Sequence, residues 1–301
     1  MRSGTGACTS KQRCDAAARN ADFTIDQQWS AYAADEHERW DRLFARSWSI
    51  LQGRACDAFL KAAGRLQLSR RGIPDMAELS ARLETMTDWR VVPVAGLVPD
   101  DIFFDHLANR RFPAAAFIRS EAEMDYLEEP DVFHDIFGHV PLLADPAYAR
   151  FLEAYGKGGR RALARDQLAN LARLYWYTIE FGLMATPAGL RIFGAGIMSS
   201  TAETVFALED ASPNRIRFDL ERVMRTRYII DDFQKTYFVI DSFQDLVTAC
   251  EHDFGPIYDR LRAAPDLEPQ DLIAGDAVIH HGTMAYFKTK TKSCRHPKGG
   301  A

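Results

Sequence analysis

Long apolar runs are missing from this chain. No stretch approaches the ~20 residues that a membrane span requires, and the opening MRSGTGACTSKQRCD lacks the apolar core of a secretory signal. An excess of one charge is missing too. The 37 Lys and Arg against 42 Asp and Glu leave a formal net charge of −5, so neither nucleic acid nor an anionic membrane is an expected partner. Cysteine is sparse and unpatterned. Cys8, Cys14, Cys56, Cys250 and Cys294 are odd in number, scattered and without a CxxC pair. That argues against a disulfide framework and a Cys-based zinc site, and favours a reducing, cytoplasmic setting. Internal repeats and long linkers are absent, as is the βαβ alternation of a doubly wound sheet.

What is present suffices for a core: 301 residues, 47% hydrophobic and 26% charged. Residues 1–22 are small, polar and aperiodic and are expected to be disordered; the first 20 carry several bases and one acid, a balance shared with transit peptides. From residue 27 to 64 the pattern is helical, with Trp40, Leu43, Phe44, Trp48 and Leu51 forming one apolar stripe. A shorter helix is expected over 76–85. Residues 90–95 and 114–119 read as strands, as do 237–240 and 277–280. Helical patterns cover the stretch near 131, then 146–156, 162–183, 200–208, 213–224 and 243–261. Residues 288–301 are basic and Gly-rich and read as a frayed tail. The expected fold is mainly α with a few short β-strands, in a single domain over 23–287.

Most of the eight histidines need no special role. His37 and His106 read as surface groups, and the adjacent His280 and His281 would face opposite ways in a strand. His134 and His139 differ, lying in EEPDVFHDIFGHVP over 128–141. At about 100° per residue, side chains five apart on a helix point about 140° apart, so a regular helix does not aim both at one ion. A helix ending at Gly138, with Pro141 unable to continue it, would swing His139 back beside His134. Glu180 stands alone in the apolar, aromatic segment LYWYTIEFGL over 174–183. A buried carboxylate there must be protonated, paired with a base such as Arg173, or bound to a metal. Two imidazoles and one carboxylate make the facial triad of non-haem iron(II) oxygenases, with three positions left open; zinc accepts the same ligands.

Four segments then stand in order: PVAGL over 93–97, EPDVFHDIFGHVPLL over 129–143, YWYTIEFGL over 175–183 and GAGIMSS over 194–200. Together they resemble the catalytic domain of the pterin-dependent aromatic amino acid hydroxylases, nearest to the short bacterial members that act on phenylalanine, from about residue 32 to 250. The resemblance implies that family's catalytic-domain fold, with iron(II) on His134, His139 and Glu180. It implies a tetrahydropterin stacked on Phe103, its edge bonded by the backbone of Gly96, Leu97, Val98 and Asp100. Asp135 takes the place of a glutamate that animal members carry near the pterin, and Tyr175 lies near the iron. Arg119 is implied to grip the substrate carboxylate with its planar fork. Pro130, Trp176, Phe181, Gly196, Ser199 and Glu203 are implied to surround the substrate, Ser199 also orienting an iron-binding imidazole. Read without the resemblance, Phe103 fits plain core packing, and Ser200 with Glu203 forms an S-x-x-E capping box. Leu127 replaces a threonine of the animal members, so a hydroxyl contact to substrate is lost there.

The implied reaction converts L-phenylalanine, dioxygen and tetrahydropterin into L-tyrosine and 4a-hydroxytetrahydropterin. Tryptophan or tyrosine hydroxylation is the alternative within the family, and a zinc hydrolase the alternative from another class. The partners are small molecules, and a monomer is expected because no heptad tail for tetramers is present.

Overall fold

Helices dominate the first half of the chain. In the computed structural model, which describes residues 8–125, 129–251 and 253–293, α1 (Ser10–Ala16) starts at a capping box on Thr9. Helix α2 (Ala34–Leu51) buries Trp40, Leu43, Ser47 and Leu51 along one stripe, and α3 (Asp57–Arg65) follows it. Helix α4 (Met76–Thr87) is opened by the Asp75 carboxylate, which accepts from the amides of Ala77 and Glu78. Strand β1 (Arg90–Val94), α5 (Asp100–Ala108) and β2 (Arg111–Ala115) form a βαβ unit with parallel strands, Arg90 opposite Arg111. This two-stranded unit is not a doubly wound sheet, although the alternation escaped the sequence pattern.

Helix α6 (Pro146–Ala164) packs across α5 through glycine. A Cβ on Gly159 would lie 2.0 Å from the Phe104 ring, and one on Gly156 2.4 Å from the Ala108 amide, so side chains there would drive the helices apart. Then come α7 (Leu168–Tyr175), β3 (Leu183–Thr186), β4 (Gly189–Ile192), α8 (Ala195–Met198) and α9 (Thr201–Glu209). The chain continues through β5 (Asn214–Arg217), α10 (Leu220–Arg225), β6 (Thr236–Ile240), α11 (Phe243–Cys250), α12 (Gly255–Ala263), β7 (Val278–His280) and α13 (Ala285–Ser293). Strands β3 to β7 form one mixed sheet in the order β4-β3-β6-β5-β7, parallel at β3–β6 and β6–β5 and antiparallel at both outer pairs. Among the described residues no helix is long and apolar enough to cross a membrane.

Several expectations need correction. The segment up to residue 22 is not aperiodic throughout: α1 is tied down by the Ser10 amide, which donates to Glu36 Oε1 at 2.7 Å, and by Ser10 Oγ, which accepts from the Ile118 amide at 3.1 Å. A seven-residue helix burying only Ser10 and Cys14 is too short to show a period. Strand β2 ends before residues 116–119. There the chain turns to other partners, Arg119 N donating to Asp131 Oδ2 at 2.9 Å and Val132 N to Phe117 O at 2.8 Å. Residues 213–224 are β5 followed by α10 and not one helix, because Ile216 is paired with Phe238 in the sheet. The stretch 162–183 likewise ends in β3, and Gly255-Pro256 restarts 243–261 as a new helix. The expected tail is helical through Ser293, with the Tyr286 ring 5.3 Å from those of Phe206 and Phe233. Residues 294–301 and Leu127 lie outside the described residues. His106 is buried and not on the surface, its Nε2 2.8 Å from the Asp22 carbonyl.

Candidate active site

Two π-helical turns, Phe133–His139 and Trp176–Glu180, carry the three candidate ligands. A turn closed by i→i+5 bonds brings residues five apart onto one side, and such turns are rare and concentrate at functional sites. His134 and His139 therefore point to one place with no break between them. This corrects the expected helix end at Gly138, which stays helical and lets α8 approach: a Cβ there would stand 3.0 Å from Ala195 Cβ and 3.1 Å from its carbonyl oxygen. The path continues through a 3-10 turn at Val140–Ala144.

The Nε2 atoms of His134 and His139 are 3.2 Å apart, and Glu180 reaches them at 3.6 Å (Oε2) and 3.2 Å (Oε1). Ser199 fixes one tautomer. Its hydroxyl lies 2.9 Å from the Ala195 carbonyl, which can only accept, so its proton goes there. Oγ must then accept from His134 Nδ1 at 2.9 Å, which in the neutral ring leaves the lone pair on Nε2, facing the other candidate ligands. Two ring nitrogens and a carboxylate packed this closely need positive charge among them. Burial pushes the Glu180 carboxyl up, but the charges and hydrogen bonds of His139 and His134 outweigh it and hold the group far below the usual carboxylate range. Burial lowers the His134 pKa, and Glu180 more than reverses that. A nitrogen and oxygen donor set of this kind suits iron(II). Asp135 is close as well: ligand atoms of His134, Asp135 and His139 all lie within 4.8 Å of one another. Its Oδ2 already accepts from the Ala115 amide at 2.7 Å, and burial pushes its carboxyl up to about 6 against the pull of the two imidazoles.

Around this cluster the expected residues divide. Gly196 lies directly against it, since a Cβ there would stand 3.1 Å from Glu180 Oε2 and 3.0 Å from the Phe181 ring. Trp176 and Phe181 rings are 4.9 Å apart. Tyr175 bridges two sides, 6.2 Å from the His139 ring and 5.7 Å from Phe103 on α5. The loop before α5 holds Gly96, where a Cβ would meet Glu129 Oε1, and then Leu97, 75% exposed. Val98 is half-buried and Asp100 exposed at the first position of α5. Pro130 is half-buried beside Asp131. Arg119 is buried with Nε and Nη2 both 2.8 Å from Asp131, so only Nη1 is not engaged by that acid. Glu203 does not join the histidines. Its Oε1 accepts from the Tyr237 hydroxyl and from the Gln234 amide at 3.4 Å.

Sequence reasoning missed Asp131 and Gln234. Asp131 is fully buried and holds Arg119 at three donors while also accepting from the His134 amide at 3.0 Å. Its signal was its place in EPDVFH between Pro130 and His134. Gln234 accepts from Trp176 Nε1 at 3.0 Å across 58 positions, a pairing that no local pattern announces.

Fold and site define a class. The description "Biopterin-dependent aromatic amino acid hydroxylase" matches residues 10–255, and the chain belongs to that family: it is a biopterin-using, non-haem iron monooxygenase. Among particular relatives it is similar to the phenylalanine-4-hydroxylase of Caulobacter vibrioides, 60% identical over 265 residues, covering 88% of this chain and 90% of that one. The Ralstonia nicotianae phenylalanine-4-hydroxylase is 52% identical over 285 residues, covering 93% and 91%. A solved structure of Chromobacterium violaceum phenylalanine hydroxylase bound to cobalt superimposes with a TM-score of 0.87 at 50% identity, covering 90% of this chain and 98% of that one.

Proposed function

We propose that this enzyme hydroxylates L-phenylalanine to L-tyrosine with dioxygen and a tetrahydropterin, using iron(II) held by His134, His139 and Glu180. The observation that carries the metal assignment is the mutual approach of those three side chains at 3.2–3.6 Å. Glu180 is preferred over Asp135 as the carboxylate because it touches both Nε2 atoms and is kept ionised, whereas Asp135 is spent on the Ala115 amide. Bound there, iron(II) supplies dioxygen activation with electrons from the pterin.

The chain's own groups do the rest. Arg119 binds the substrate carboxylate, with Asp131 fixing its plane. Phe103 and the backbone of Gly96, Leu97, Val98 and Asp100 hold the pterin, with Asp135 and Tyr175 beside it. Pro130, Trp176, Phe181, Gly196 and Glu203 surround the substrate ring, and the aromatic walls keep water from the reacting centre. Ser199 keeps His134 in the ligating tautomer. We place the enzyme in the cytoplasm as a monomer; the free thiols of Cys8, Cys14, Cys56 and Cys250 suit a reducing compartment.

The test is turnover of metal-stripped protein reloaded with iron(II) or zinc(II), given tetrahydrobiopterin and phenylalanine, tryptophan or tyrosine in parallel. Tyrosine formation from phenylalanine with iron alone is expected. Preference for tryptophan would overturn the substrate assignment, and hydrolytic activity with zinc and no pterin would overturn the reaction. Asp135→Asn retaining iron while Glu180→Gln loses it settles the ligand, and the reverse pattern would reassign it. Light scattering across a sizing column checks the monomer.

A further inference from the structure

Gln234 is 1% exposed and its side-chain amide is engaged at both ends. Oε1 accepts from Trp176 Nε1 at 3.0 Å, and Nε2 donates to the carbonyls of Ile229 at 2.7 Å and Asp232 at 3.4 Å. An indole N–H only donates and a carbonyl only accepts, so the amide has one workable orientation. The indole it holds lies flat on Tyr228, with ring centroids 4.3 Å apart and planes 16° from parallel, and leans on Phe181. The loop that carries Gln234 is itself braced from α13 and α9. Tyr286 Oη donates to Asp232 Oδ1 at 3.0 Å, and Phe233 stacks on Phe206 at 4.3 Å.

We infer that Gln234 is a positioning residue for substrate selectivity, holding the Trp176 indole in the one plane that the pocket wall presents to the substrate ring. The inference rests on the hydroxylase reading above. Without the acceptor, the N–H of this half-buried indole loses its partner, and the ring turns to find another. Substrate must then restore its plane on binding, so the cost falls on binding and on the choice between rings of different width.

The test is a double-mutant cycle. Gln234→Met, close to the native length and lacking the acceptor, and Gln234→Leu as a second variant are each made in the native and Trp176→Phe backgrounds. Phenylalanine binding is followed by calorimetry on iron-loaded protein, alongside turnover with phenylalanine and tryptophan. In the native background the dissociation constant and KM for phenylalanine should rise about ten-fold, the scale of one net hydrogen bond. The kcat should stay within about two-fold, with the preference for phenylalanine over tryptophan reduced. In the Trp176→Phe background, where the ring has no N–H, the same change should add nothing. Equal increases in both backgrounds, or lower kcat and melting temperature with unchanged binding, would overturn the inference. If one substitution does not fold, the other completes the cycle. Failure of the native enzyme to make tyrosine would instead strike the hydroxylase reading, and the calorimetric cycle would still decide the role of Gln234 independently.

Discussion

Glu180 and Glu203 are two sequestered glutamates in the same half of the chain, and their carboxyls are shifted in opposite directions. Burial pushes both carboxyls up. Glu180 faces two imidazoles, and their charge and hydrogen bonds overcome burial and keep it ionised. Glu203 faces only neutral donors, the Tyr237 hydroxyl and the Gln234 amide, with Asp232 adding repulsion, and is pushed up to about 7. The partners decide and not the depth. One carboxyl is held ionised, and the other keeps its proton up into the neutral range.

The comparison can be broken or sharpened by substitution. The largest effect is expected at Glu180: Glu180→Ala should lose iron and abolish tyrosine formation while the circular dichroism spectrum stays native, and full turnover would end the ligand assignment. Asp131→Ala comes next. It strands the Arg119 guanidinium, whose side chain is 7% exposed opposite an acid at 0%. Stability should fall by about 3–5 kcal/mol in denaturant titrations, with a higher KM for phenylalanine; a change under about 1 kcal/mol would mean the pair is not buried in solution.

Glu203 gives a signed pH effect. Its folded pKa lies above the ordinary 4.5, so its stabilisation is fully present below that value and is lost as pH rises through about 7. The native protein should lose about 3 kcal/mol from this group across that window. Glu203→Gln mimics the protonated acid and should lack that slope. Parallel pH profiles in denaturant would show that Glu203 is already ionised. The smallest effect belongs to Ser199→Ala, which frees the tautomer of His134 and should weaken iron binding about ten-fold in chelator competition; unchanged affinity would show that the ring is oriented by other contacts.

Much of the framework was legible because it is local. The stripe of α2, the helix expected over 76–85 and the β1 segment rest on neighbours three or four residues away or on alternation. The proposed ligand residues were legible as types, with two histidines beside an acid-rich turn and one glutamate among aromatic residues. Their geometry was not. A five-residue spacing conflicts with an ordinary helix, and the answer, a π-helical turn over Phe133–His139, appears only in the folded backbone. His106 was misread for the same reason: its partner, the Asp22 carbonyl, is 84 positions away.

Residue order alone determined which side chains are available to hold a metal and which segments repeat with a helical period, because both are properties of neighbours along the chain. Only the folded molecule decided that Glu180 closes on His134 and His139, that Asp131 takes the fork of Arg119, and that Gln234 accepts from Trp176. Each of those pairings joins groups whose charges and hydrogen bonds act through space over a few ångströms, a distance that sequence separation does not encode.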